Sequence, residues 1–98
     1  IKITGGIVTG PMQKTAQAQK MVDVYKRIVK EEYGAEVNEW VAGGLTDGNR
    51  TANFVPTLDA LGAENYDEHT DHESADLNTA VPRTTAFALT LAELAETF

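Results

Sequence analysis

Two long stretches carry apolar residues at three- and four-residue spacing, and the chain between them is broken by glycine, proline and short polar residues. In the first, Ala18, Met21, Val22, Tyr25, Ile28 and Val29 share one face. Gln19, Lys20, Asp23, Lys26, Arg27 and Lys30 take the other. The spacing predicts an amphipathic helix running from Thr15 to Tyr33, because Gly34 adopts the left-handed backbone of a C-terminal cap without a side-chain penalty. Lys26, Arg27 and Lys30 fall in its last turns, where positive charge complements the helix dipole. The second stripe begins near Asn78 or Thr79 and comprises Val81, Thr84, Phe87, Ala88, Leu91, Leu94, Ala95 and Phe98, with Pro82 expected in the first turn. Both stripes read as core faces.

Three short segments read as strands. Residues 1–6 alternate Ile1 and Ile3 before a glycine pair, 35–42 carry Val37, Trp40 and Val41, and 55–61 start at Val55, with Pro56 among the first residues, and run into the Gly62 turn. Thr46 or Asp47 can cap a short helix reaching about Phe54. Residues 63–75 are acid-rich and without period, which predicts a loop. The order strand, helix, strand, helix, strand, helix implies an α/β fold with right-handed crossovers.

Composition narrows the function classes. With eight Lys and Arg against fifteen Asp and Glu, the net charge of −7 opposes binding to nucleic acid or anionic lipid. There is no cysteine, so thiolate metal sites and disulfides are excluded. No apolar run reaches spanning length, and the opening Ile1-Lys2-Ile3 lacks the basic and apolar regions of a signal peptide, so no membrane partner and a cytoplasmic location are expected. A start in mid-strand and only 98 residues of core-forming chain suggest a segment of a larger protein.

The polar residues available for chemistry concentrate in two strand-exit loops, 43–51 and 66–74, where open α/β layers gather their ligands. Gly43-Gly44-Leu45-Thr46-Asp47-Gly48-Asn49 is either a tight turn with a helix cap or a backbone cradle for an anion. It has neither the lysine of a P-loop nor the three-glycine spacing of a dinucleotide fold. His69-Thr70-Asp71-His72-Glu73 offers imidazoles and carboxylates of the kind zinc prefers. Its spacing makes no self-contained metal motif, which leaves a solvated loop or the supply of one ligand. His72 reads as exposed or as supporting the other histidine. Ser74 is the single serine and stands in no nucleophile elbow, so a serine or cysteine nucleophile is excluded.

Taken in order, Gly43-Gly44-Leu45-Thr46-Asp47-Gly48-Asn49, Val55-Pro56-Thr57-Leu58-Asp59-Ala60-Leu61-Gly62, His69-Thr70-Asp71-His72-Glu73 and Val81-Pro82-Arg83 resemble the C-terminal end of the aminoacylase-like co-catalytic metallopeptidases. That family includes glutamate carboxypeptidase, acetylornithine deacetylase and succinyl-diaminopimelate desuccinylase. The resemblance implies the closing part of a three-layer α/β/α catalytic domain: residues 1–12 would be the last lid-domain strand and hinge, and 13–98 the C-terminal segment of the catalytic domain. It further implies two zinc ions per site, with cobalt or manganese as alternates, and hydrolysis of an amide bond in small peptides or N-acyl amino acids. A homodimer is implied for the whole protein, which would also contain the lid and the N-terminal catalytic half.

Residue by residue, the resemblance makes His69 a metal ligand. Thr70, Asp71 and Glu73 would support it, a neutral imidazole needing its second nitrogen oriented by a partner. Gly43, Gly44, Thr46, Asp47 and Asn49 would line the substrate. The general base, a glutamate, and the other metal ligands would lie upstream, so this chain alone is expected to be inactive. Where relatives carry an arginine at the hinge, this chain has Thr9-Gly10-Pro11-Met12, which removes a bidentate carboxylate clamp that Arg50 could replace. The alternative is a noncatalytic ligand- or partner-binding domain of the same fold. A self-standing α/β interaction domain is the plainest reading.

Overall fold

The computed structural model describes residues 1–97, and Phe98, expected to close the second stripe, lies outside them. Helix α1 spans Ala16–Tyr33; Gly34 is the C-terminal cap the sequence singles out, and Thr15, expected as the first helical residue, is the N-cap. The Thr15 hydroxyl oxygen accepts from the Ala18 amide at 3.1 Å. Gly34, at φ 63°, donates its amide to the Lys30 carbonyl at 2.9 Å. A single turn, α2, covers Gly48–Thr51, and α3 covers Leu77–Thr97. Between them, β1 (Asn65–Tyr66) and β2 (Ser74–Ala75) pair antiparallel, with Asn65 opposite Ala75 and Tyr66 opposite Ser74. The chain is thus a mixed α and β structure, built on the packing of α1 against α3.

The core lies in that packing. Ala18, Val22, Tyr25, Ile28 and Val29 of α1 are buried, as their periodicity predicts, and Ala86 of α3 fits among them at 1% exposure. Val37, Leu58 and Leu61 cover the cluster from the side. Thr90, 2% exposed, returns its hydroxyl proton to the Ala86 carbonyl at 2.7 Å, so no polar atom is stranded there. Three basic residues of α1, and Lys14 just before it, are held by acids: Lys26 and Lys14 each reach Glu39 at 2.7 Å, Lys30 meets Glu36, and Arg27 bonds both Glu31 and Glu93 of α3.

Four expectations need correction. First, among the described residues 1–6, 35–42 and 55–61 form no strand, so the strand-helix-strand-helix-strand-helix order is absent and the sequence of elements is α1, α2, β1, β2, α3. A strand requires a partner for its amides and carbonyls, and these segments have none: Ile1, Ile3, Trp40 and Val41 are exposed. Second, the acid-rich stretch is not loop throughout: Asn65–Tyr66 and Ser74–Ala75 pair as a hairpin, leaving 63–64 and 67–73 as loop.

Third, α3 begins at Leu77. The Asp76 carboxylate accepts from the Asn78 amide at 3.0 Å, and its carbonyl from the Thr79 amide at 3.1 Å. Pro82 is therefore the sixth helical residue, in the second turn, where it removes the bond to the Asn78 carbonyl. Fourth, the apolar stripe of α3 is not its core face. Ala86 and Thr90 meet α1, while Val81 and Leu91 are 73% and 52% exposed and Phe87 is also exposed.

The result is a thin body. Its principal extents are 55 × 37 × 18 Å, and its radius of gyration of 16.0 Å exceeds the ~13 Å of a compact domain this long. The accessible surface of 7750 Å² stands above the ~5,500 Å² usual for a folded monomer of 10.6 kDa. Much of that surplus is apolar, and part of it is an open groove of about 480 Å³ along the outer side of α3, lined by Ala80, Val81, Thr84, Thr85, Ala88 and Leu89. No helix among the described residues is long and apolar enough to cross a membrane.

Candidate functional site

Hairpin β1–β2 presents His69, an exposed residue, at its tip. Asp67 (φ 55°) and His69 (φ 63°) both take the left-handed backbone, which Asp and His tolerate better than most residues. Thr70 stabilises the turn between them. Its hydroxyl donates to the Asp67 carbonyl at 2.7 Å and accepts from the His72 amide at 3.2 Å, and the Glu73 amide donates to the Thr70 carbonyl at 3.3 Å. Thr70 therefore shapes the backbone that carries His69. Asp71 lies 3.2 Å from His72 Nε2, so the nearest carboxylate is engaged with the other histidine. Glu73 is exposed.

At the base of the hairpin, Asn65 donates to Glu68, and the Tyr66 hydroxyl donates to Glu64 at 3.2 Å, which pushes the phenol above its ordinary pKa. The Asp76 amide donates to the Glu64 carbonyl at 2.8 Å, and the Glu64 amide to the Thr79 hydroxyl at 2.9 Å, fastening the hairpin to the start of α3. These acids have local structural partners. Among the described residues no three His, Asp or Glu side chains converge as a metal site.

The second loop is organised differently. The Thr46 amide donates to Asn49 Oδ1 at 3.1 Å, the Gly48 amide to Thr46 Oγ1 at 3.1 Å and the Asn49 amide to the Thr46 carbonyl at 3.1 Å. Arg50 and Thr51 donate to the Asp47 carbonyl. Three amides of the 43–49 stretch, those of Thr46, Gly48 and Asn49, are thus engaged in a turn and helix start. Asp47 precedes α2 without a side-chain capping bond. The cap is Thr46, whose hydroxyl also donates to Asp59. Gly43 and Gly44 are exposed with open space around them.

Gly48 is the buried residue of this loop. A Cβ there would stand 3.1 Å from Asp59 Oδ2, from Met12 Sδ and from Thr46 Oγ1, so the 9–12 connector packs directly on it. Asn49 Nδ2 donates to the Gly10 carbonyl at 3.2 Å, and Thr9 Oγ1 donates to the Asn49 carbonyl at 3.3 Å. Neither contact is visible as a local sequence pattern, since about forty residues separate the partners. Arg50 is exposed, and Arg83 holds the turn before the hairpin by donating to the Gly62 and Ala60 carbonyls.

Among the described residues no hydrogen bond or salt bridge joins the 43–51 loop to the 67–73 loop, and α2 does not pack on β1 or β2. His69, Thr70, Asp71 and Glu73 stand on one hairpin; Gly43, Gly44, Thr46, Asp47 and Asn49 belong to a separate loop packed on the connector. No family model, no curated protein and no solved structure matches this chain.

Proposed function

We propose that this chain is the C-terminal segment of the catalytic domain of a di-zinc metallopeptidase or amidohydrolase, acting on small peptides or N-acyl amino acids as a carboxypeptidase or deacylase does. The observation that carries the reading is the hairpin: His69 projects at its tip with no partner of its own, on a backbone shaped by Thr70 in the His69-Thr70-Asp71-His72-Glu73 motif. An imidazole so placed suits a metal whose other ligands come from elsewhere. In this reading 1–12 are the last lid strand and hinge, and 13–98 close a three-layer α/β/α domain. The unpaired 35–42 and 55–61 would find strands there, and the surplus apolar surface would find its cover.

The residues present fit one ligand of such a centre and no more. When bound, the metal pair supplies polarisation of an amide carbonyl and acidification of a water. His69 would hold one ion and Thr70 would fix the turn that aims it. The general base and the remaining ligands would come from outside this segment. The expected assembly is a homodimer of the longer polypeptide.

A second reading, a noncatalytic ligand- or partner-binding domain of the same fold, is favoured by the connector. Thr9 stands where a carboxylate-binding arginine is expected, and its hydroxyl is engaged with Asn49. The deciding experiment measures zinc content and hydrolysis of N-acyl amino acids and dipeptides by the longer polypeptide, wild type beside His69→Ala. Loss of one zinc together with a fall of several orders of magnitude in kcat supports the hydrolase. A metal-free, inactive wild type supports the binding domain.

A further inference from the structure

Asn49 uses all four of its polar groups, and they point two ways. Its amide donates to the Thr46 carbonyl and its Oδ1 accepts from the Thr46 amide, each at 3.1 Å, closing a ring with the glycine loop. Its Nδ2 donates to the Gly10 carbonyl at 3.2 Å and its own carbonyl accepts from Thr9 Oγ1 at 3.3 Å, which fastens the connector. Beside it, Gly48 admits Met12 so closely that a methyl group there would meet the sulfur at 3.1 Å. An asparagine with both ends of its carboxamide engaged in this way is poorly placed to bind a ligand.

We propose that Asn49 is a positioning residue, a latch through which the 9–12 connector sets the conformation of the 43–47 glycine loop. Thr46 is the relay. Its amide and carbonyl are held by Asn49, while its hydroxyl bridges Gly48 and Asp59. Movement of the connector pulls on Asn49, releases Thr46 and lets Gly43 and Gly44, which nothing else restrains, change their backbone. The coupling is reciprocal: a ligand that fixes the loop also fixes the connector. The latch itself is independent of the hydrolase reading. That the loop faces a substrate, and that the connector joins a lid, rests on that reading.

The test uses the 98-residue chain with isotope labelling. Thr9→Val removes one connector bond without touching the loop. Asn49→Asp keeps the acceptor for Thr46 and loses the donor to Gly10. Expected are loss of the Met12 methyl to Gly48 Hα nuclear Overhauser effect in Asn49→Asp, and lower heteronuclear NOE at Gly43 and Gly44 in both variants. The resonances of α1 and α3 should stay in place in both. Unchanged Gly43 and Gly44 in Asn49→Asp, where the bond to Gly10 is gone and the Met12 contact is lost, overturn the latch, since the connector would then be untied without effect on the loop. A wild-type chain lacking the Met12 to Gly48 contact overturns it as well. These results depend on neither zinc nor activity, so the latch and the hydrolase stand or fall separately.

Discussion

Helices α1 and α3 are of similar length and each carries an apolar stripe, yet only α1 buries its own. Seven of the 18 residues of α1 are charged, and they confine its apolar residues to one face. In α3 three of 21 are charged, so several faces could serve, and contact with α1 selects the one with small residues at its centre. Ala86 and Thr90 let the two backbones approach. The bulkier Val81, Phe87 and Leu91 would hold them apart and face outward. A helix apolar on nearly every side belongs inside a larger body, whereas one with a single apolar face belongs at its surface.

The comparison breaks most directly by truncating one residue from each stripe. Ile28→Ala should destabilise the chain by ~2–5 kcal/mol, the usual effect of emptying a packed aliphatic site. Leu91→Ala should change stability by less than ~0.5 kcal/mol, because its side chain already meets water. Urea unfolding followed by circular dichroism measures both. Equal effects would mean that α3 buries its stripe in solution and that the two helices pack in another register.

Ala86→Leu sharpens the same contrast from the opposite side. The site is closed on all sides by Tyr25, Ile28 and Val29, so the added methylenes force the helices apart at ~1–3 kcal/mol. A neutral or stabilising result would show that the interface has room, and the selection of α3's small face would lose its explanation.

How much was legible follows from what each element depends on. Helix α1 was legible because the stripe and the Gly34 cap agree within the local sequence. The face of α3 was not, because periodicity ranks residues by hydrophobicity while packing ranks them by fit. Residues 1–6, 35–42 and 55–61 have strand-forming composition, but a ladder needs a partner that no local pattern supplies. At the hairpin, 69–73 was legible as a loop. The pairing of Asn65 with Ala75 was hidden by the run of acids, and so was the Asp76 cap. In the glycine loop the turn around Thr46 was legible, whereas the tie from Asn49 to Gly10 was not, since it joins residues 39 apart.

The smallest expected effect concerns the other side of α1, where charge does the work that apolar residues do on α3. Glu39 accepts from Lys14 and Lys26, and those two hydrogen bonds, Lys14 first, lower its carboxyl from 4.5 to about 2. A depressed carboxyl contributes stability that is complete above its unfolded value and is lost as pH falls through its folded value, so the window runs from 4.5 down to about 2. Both partners reach solvent, so the gain is small and screened by salt. Titration of the Glu39 carboxyl carbon by NMR should give a midpoint near the folded value, and Lys14→Met should raise it toward 4.5. As the carboxyl is protonated, 35–42 should detach from α1 while the Ala86 contact holds, because no ionised group sits in the core. An unshifted Glu39 would leave the 35–42 segment held to α1 by the Lys30–Glu36 pair and Val37, and the contrast between a charge-covered α1 and an apolar α3 would lose much of its electrostatic half.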